Sequence, residues 1–143
     1  FVHFAARAVA ENPERSCAFI FGGDGQGEAM VANRYQGVRA AVFYGPQLAR
    51  VAVDIAGRMS ADTFEVVRLA RRHNNANILS IGARFVDEGM ALKAVKLFLE
   101  SPFSGDERHV RRIGKIEAIE QSLSHLSSSN NESVTNERMQ SDS

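Results

Sequence analysis

The chain has 143 residues, 44% of them hydrophobic, and its seventeen acidic side chains balance seventeen basic ones. That length builds one domain with a real core, and the neutral balance gives no electrostatic reason for a nucleic-acid or membrane partner. A single cysteine, Cys17, excludes an internal disulfide, and no Cys or His pair has metal-ligand spacing.

In chain order, residues 1–10 are good helix formers with apolar residues on most positions, and Glu11-Asn12-Pro13-Glu14 ends them. The apolar run 17–21 predicts a buried strand, with Cys17 as a small core or near-surface thiol. Four glycines in the six residues 22–27 then predict a loop, and residues 28–34 a helix. Residues 38–44 give a second strand. Strand, helix and strand within about thirty residues make a βαβ unit, hence a parallel sheet with helices on its faces.

Between residues 45 and 60, Leu48, Val51, Ile55 and Met59 recur at helical spacing, which predicts a short amphipathic helix or a cover over a sheet edge. Ser60 or Asp62 then caps a helix over 63–72, with Phe64, Val67, Leu69 and Ala70 inside. His73-Asn74-Asn75 ends it, since Asn accepts left-handed backbone angles. A third strand covers 77–81. Asp87 or Glu88 opens a helix through Glu100 that carries Met90, Val95, Leu97, Phe98 and Leu99 on its apolar side. Asp106 caps a last helix that presents Arg108, His109, Arg111 and Arg112 in its first turns, where positive charge opposes the helix dipole and an anion would explain it. From Ser122 onward the composition predicts a disordered tail. No apolar run approaches a bilayer span, and no basic-then-apolar leader opens the chain, which predicts a soluble, cytoplasmic protein.

The glycine loop is informative for what it fails to match. Gly22 and Gly27 have the spacing of a nucleotide phosphate loop, but Glu28 stands where that motif needs lysine. In the dinucleotide fingerprint read from Gly23, the third glycine falls on Glu28 as well. What remains is a carboxylate on the first turn of a helix beside a cradle of amide donors. That suits proton abstraction next to a carbonyl whose oxygen becomes negative; the alternative is an ordinary first-turn acid favoured by the helix dipole.

Five motifs in series carry a resemblance: Gly22-Gly23-Asp24-Gly25-Gln26-Gly27-Glu28-Ala29-Met30-Val31-Ala32-Asn33-Arg34, Gly37-Val38-Arg39-Ala40-Ala41, Arg72-His73-Asn74-Asn75-Ala76-Asn77, Gly82-Ala83-Arg84, and Ser104-Gly105-Asp106-Glu107-Arg108-His109-Val110-Arg111-Arg112-Ile113. Over about residues 1–121 the chain resembles the type B ribose-5-phosphate isomerase family, which includes galactose-6-phosphate isomerase. The resemblance implies a Rossmann-like three-layer α/β/α sandwich with a parallel sheet. It also implies a homodimer or dimer of dimers with active sites at the subunit interface, and a cofactor-free aldose–ketose isomerisation through an enediolate. The substrate would be a phosphorylated sugar, with ribose 5-phosphate to ribulose 5-phosphate, a step of the pentose phosphate pathway, as the leading reaction.

One branch of that family has a cysteine base at the position of Gly22 and the other a glutamate at the position of Glu28, and this chain resembles the second. Carried over by position, Glu28 moves the proton between C1 and C2, and the amides of Gly23, Gly25, Gln26 and Gly27 hold the enediolate oxygen. Asn74 binds sugar hydroxyls, His73 opens the sugar ring, and Arg84, Arg108, His109 and Arg112 hold the substrate and its phosphate.

Three departures stand out. Asp24 replaces the family's serine or threonine, so a carboxylate that accepts hydrogen bonds and repels Glu28 stands among the catalytic residues. Residues 45–61 look inserted, a place for a lengthened lid or an altered substrate. The family's first strand and helix, with an Asp-His pair, would precede Phe1, so the record is expected to be truncated. These departures keep two other readings open: a phosphosugar-binding or regulatory module without chemistry, and one subunit of a hetero-oligomeric galactose-6-phosphate isomerase.

Overall fold

The computed structural model describes the backbone of residues 1–141 and the side chains of residues 1–128. The chain divides into two units, Phe1–His109 and Val110–Ser143. The first holds α1 (Val2–Glu11), β1 (Ala18–Gly22), α2 (Gln26–Ala32), β2 (Ala40–Phe43), α3 (Glu65–Asn74), β3 (Ile78–Gly82) and α4 (Glu88–Glu100), and α5 (Glu107–Ser141) begins at its end.

The three strands form one parallel sheet in the order β1-β3-β2, with Gly22 level with Gly82 and Phe43 level with Ile81. The βαβ unit of β1, α2 and β2 is therefore not a pair of neighbours, because β3 lies between its strands. Every residue of β3 is buried, as a central parallel strand with helices on both faces requires. Side chains alternate across it. Ile78 packs with Ala6 and Val9 of α1, Ala32 of α2 and Ile20, while Leu79 and Ile81 pack with Val67 and Ala70 of α3 and Ala94 and Phe98 of α4. The result is three layers, α1 and α2 on one face and α3 and α4 on the other. Phe98, which meets the Phe19 ring edge-on at 5.6 Å, is 1% exposed, and removing it would cost about 3–5 kcal/mol.

At the end where β3 begins, Asn77 ties the incoming chains together. Its side-chain amide donates to the carbonyls of Pro13 and Gly37, and its Oδ1 accepts from the amide of Arg39. Asn75 takes φ 44°, the left-handed cap expected of the His73-Asn74-Asn75 run.

Other expectations are corrected. Residues 45–61 hold no helix, and Leu48, Val51, Ile55 and Met59 are all exposed. Gly45 and Gly57 both take positive φ, and Asp54 Oδ1 accepts from the amide of Arg58, so side-chain and turn bonds replace the helical ladder. Phe64 takes the cap position of α3 in place of Ser60 or Asp62, although Asp62 Oδ1 accepts the Phe64 amide just outside it. Leu99 is exposed, and the small Ala91 and Ala94 with Phe98 form the buried stripe of α4. Cys17 is exposed. In the second unit α5 runs through Ser141, into the stretch expected to be a disordered tail from Ser122; residues 142 and 143, and the side chains from 129, lie outside the described residues.

Candidate active site

At the carboxyl end of the sheet, β1 and β3 finish side by side, the place where open α/β sheets bind ligands. The glycine loop leaves β1 there and is clasped to β3. The amides of Ala83 and Arg84 donate to the carbonyls of Gly22 and Gly23 at 2.8 and 3.0 Å, and Ser80 Oγ donates to the Gly25 carbonyl at 2.7 Å. Gly25 takes φ 79°, and a Cβ there would lie 3.2 Å from Ser80 Oγ and the Gly82 amide, so both conformation and space call for glycine.

Asp24 fastens the same turn, since its Oδ1 accepts from the amide of Gln26 at 2.9 Å. Its carboxylate thereby shapes the loop in the manner of an Asx turn, a use that the sequence departure did not suggest. With the Gln26 amide engaged and Ala29 N bonded to the Gly25 carbonyl, the amides of Gly27 and Glu28 are the first-turn donors with no intrahelical acceptor.

Glu28, on the first turn of α2, folds its side chain back over the end of β1. A Cβ built on Gly22 would lie 2.5 Å or less from the Glu28 carboxylate carbon and both its oxygens. Beside it, the Arg84 guanidinium covers Gly23, with Cζ 3.0 Å and Nη1 3.2 Å from where a Cβ would stand. The end of the sheet thus gathers a carboxylate, a guanidinium and open backbone amides. Such a grouping is chemically able to accept a proton and to hold an anionic oxygen.

A second cluster forms where α3 ends. The imidazoles of His73 and His109 stack with centroids 4.2 Å apart and planes inclined by 32°. His73 is half-buried and Asn74 exposed, whereas His109 is 2% exposed. Ser104 Oγ lies 3.0 Å from His109 Nδ1, and the Ser104 amide donates to the Arg72 carbonyl, which joins the turn before α5 to the end of α3. Burial pushes His73 below the usual histidine range, and the charges of His109 and Arg108 push it further the same way. Arg108 is therefore a neighbour of His73. Arg112 is an exposed residue of α5 in the second unit.

The expected site residues thus fall into two groups. Asp24, Glu28, Arg84 and the loop glycines stand at the end where β3 finishes, while His73, Asn74, Arg108 and His109 stand near its start. Five residues of strand, about 13 Å, lie between them. Sequence reasoning missed Ser80, the polar residue inside an otherwise apolar strand, whose hydroxyl holds the loop. It also missed Glu65, 4% exposed on α3, which accepts from Arg58 at 2.8 Å and Ser60 at 2.9 Å and pins the 45–61 segment.

The family model described as Ribose/Galactose Isomerase matches residues 1–58 and 56–116, two stretches that meet inside the helix-free segment. Ribose-5-phosphate isomerase B of Mycobacterium leprae is 35% identical over 76% of this chain and 55% of its own length. Probable ribose-5-phosphate isomerase B of Mycoplasma genitalium is 34% identical over 81% of this chain and 64% of its own. Among solved structures, type B ribose 5-phosphate isomerase from Trypanosoma cruzi matches with TM-score 0.69 and 34% identity, over 85% of this chain and 69% of that one. Ribose-5-phosphate isomerase B from Mycoplasma genitalium with bound ribulose-5-phosphate matches with TM-score 0.70 and 32% identity, over 85% and 67%. The chain spans 55–64% of the length of the two curated relatives. Motifs, three-layer fold, glycine loop and matched length agree, and the chain belongs to the Ribose/Galactose Isomerase family.

Proposed function

We propose that the chain serves an aldose–ketose isomerase of phosphorylated sugars, with ribose 5-phosphate and ribulose 5-phosphate as the pair interconverted. The observation that carries this reading is the Glu28 carboxylate seated over Gly22, at the mouth of an amide-lined loop with Arg84 beside it. In the forward direction Glu28 takes the proton from C2 of the open-chain aldose. The electron pair forms the C1=C2 bond, and negative charge moves to O1, toward the loop amides. A proton passes from O2 to O1, Glu28 returns its own to C1, and the carbonyl is left at C2. Asp24 keeps the loop in shape, while Arg84 and Arg108 supply positive charge for the phosphate and so the orientation that proton transfer needs.

His73 opens the sugar ring in this reading and Asn74 holds hydroxyls, yet both stand at the far end of β3 from Glu28. A homodimer resolves the distance. A second copy related by a two-fold axis lays its His73 end against the Glu28 end of the first, and the same contact repeats in reverse, giving two sites per dimer. A charged sugar phosphate does not cross a bilayer, so the same reading places the protein in the cytoplasm with its substrate.

The test is appearance of ketose from ribose 5-phosphate, run on the chain alone and on the chain joined to a relative's amino-terminal strand and helix, each beside its Glu28→Gln partner. Turnover that falls by about 10²-fold or more with Gln supports the reaction and the base. A folded protein that binds the sugar phosphate and turns over neither ribose, allose nor galactose phosphate would overturn the isomerase reading in favour of a binding module.

A further inference from the structure

His109 was expected among the phosphate ligands, but its surroundings suit another task. The side chain is 2% exposed, one ring face lies on His73, and Nδ1 faces Ser104 Oγ at 3.0 Å with Asp106 Oδ2 at 3.8 Å. Ser104 Oγ also accepts from the Asp106 amide at 3.2 Å, so one hydroxyl joins the His109 ring to the first residues before α5. The imidazole is held from behind by a turn that is itself tied to α3 through the Ser104 amide and the Arg72 carbonyl. What it offers forward is a fixed aromatic face.

We propose that His109 is a positioning residue: stacked on His73 and anchored by Ser104, it fixes the tilt of the His73 ring for opening the cyclic sugar. This rests on the role given to His73 above. Ring opening removes the proton from the C1 hydroxyl, breaks the bond between C1 and the ring oxygen, delivers a proton to that oxygen and leaves the C1 aldehyde. One group with a nitrogen lone pair and an N–H can do both, and an imidazole has the two only while it is neutral. Positive charge on His109 disfavours a proton on the His73 ring stacked against it. Arg108 adds to that pressure, while Asp106 and Asp54 face His73 with the opposite sign.

Ribulose 5-phosphate has no ring to open, which separates His73 work from Glu28 work. The experiment compares the unaltered protein with His109→Ala, His109→Phe and His73→Asn. Two rates are measured: ketose formation from ribose 5-phosphate, and exchange of the C1 hydrogen of ribulose 5-phosphate with deuterated water. For His109→Ala we expect kcat from the aldose to fall about tenfold, with KM and the exchange rate near their original values. His109→Phe keeps the stack and recovers most of the loss, and its acid limb moves upward because one neighbouring charge has gone.

The proposal is overturned if His109→Ala raises KM for both sugars and slows exchange equally, the pattern of a lost phosphate ligand. It is also overturned if Phe gives no recovery, or if both rates fall together with thermal stability. If His73→Asn leaves the aldose rate untouched, the ring-opening reading itself fails and this inference with it. If Glu28→Gln leaves exchange intact, the proposed base is wrong whatever the histidines do.

Discussion

Glu28 and Gly22 claim the same point in space: a side chain begun at position 22 would run into the carboxylate that Glu28 lays over it. If Glu28 is the base, as proposed, a thiol on the strand end and a carboxylate from the helix are two ways of bringing a base to one place, and the carboxylate route needs position 22 small. Gly22→Ala should therefore displace the carboxylate and cost activity on the scale of Glu28→Gln, about 10²-fold or more, although nothing that touches substrate has been removed. Gly22→Cys should be tolerated far better in a Glu28→Ala background than alone. A crystal structure of the double variant would show whether the thiol takes the vacated point, and equal losses from Gly22→Cys in both backgrounds would contradict the exclusion.

The separation of Glu28 from His73 along β3 predicts complementation. Glu28→Gln and His73→Asn chains, each nearly inactive on ribose 5-phosphate, should regain activity when unfolded together and refolded. Half of a random mixture is the mixed dimer, and each mixed dimer has one site with both residues intact, so recovery should approach about a quarter of the original rate. Recovery that stays at the level of the separate variants would mean that Glu28 and His73 of one chain serve one site, against the distance along the strand.

The clasp between Ser80 and Gly25 should matter to the loop more than to the core. Ser80→Ala leaves the Gly25 carbonyl without its hydroxyl donor and should lower stability by about 1 kcal/mol. Gly25→Ala adds backbone strain of about 1–3 kcal/mol at φ 79°, and close contacts with Ser80 and Gly82 besides. Urea titration should rank Gly25→Ala as the worse of the two, and its loss of kcat should exceed what its stability explains, because the amides move with the turn.

Glu65 is the anchor of the 45–61 segment, since Arg58 and Ser60 both bond to it and Arg72 stands 3.8 Å away. Glu65→Ala should release that segment while leaving the sheet folded. Trypsin should then cut at Arg50 and Arg58 several-fold faster than in the unaltered chain, with α3 still helical by circular dichroism. Unchanged cleavage would mean that Gln47 and Thr63, whose backbones bond at 2.7 Å, hold the segment unaided.

Much of this was legible in the sequence, and the reasons for the rest are local. The run over β3 was plain because a central parallel strand must be apolar on both faces, and the glycine loop because no other residue fits Gly25. The 45–61 segment misled because Leu48, Val51, Ile55 and Met59 mimic a helical stripe, whereas Gly57 and the bond from the Arg58 amide to Asp54 decide its backbone. Leu99 misled for a related reason: small residues, Ala91 and Ala94, let α4 approach the sheet and leave the large one outside. The stacking of His73 on His109 has no signature in spacing, for it depends on how the turn at Ser104 docks onto α3. The distance between Glu28 and His73 was in principle readable, since one follows a strand end and the other precedes a strand start. Motif order alone conceals it.

Acid should act on the fold in two stages, and the first belongs to His73. Burial, then His109 and Arg108, hold its folded value below 6.5, the ordinary value that the unfolded chain recovers. Between the folded value and 6.5 the unfolded chain therefore binds more protons, so stability falls as pH drops through 6.5 and levels off below the folded value. Glu65 governs the next stage. Burial pushes it up, but the hydrogen bonds from Arg58 and Ser60, with the charges of Arg58 and Arg72, outweigh burial and leave it below the usual carboxylate range. Its contribution is complete above 4.5, its ordinary value, and is lost as pH falls through the lower folded one. Thermal unfolding followed from about pH 8 to pH 3 should show both losses. His73→Asn should flatten the first while leaving the second in place; a first loss of undiminished size in that variant would assign it to a group other than His73.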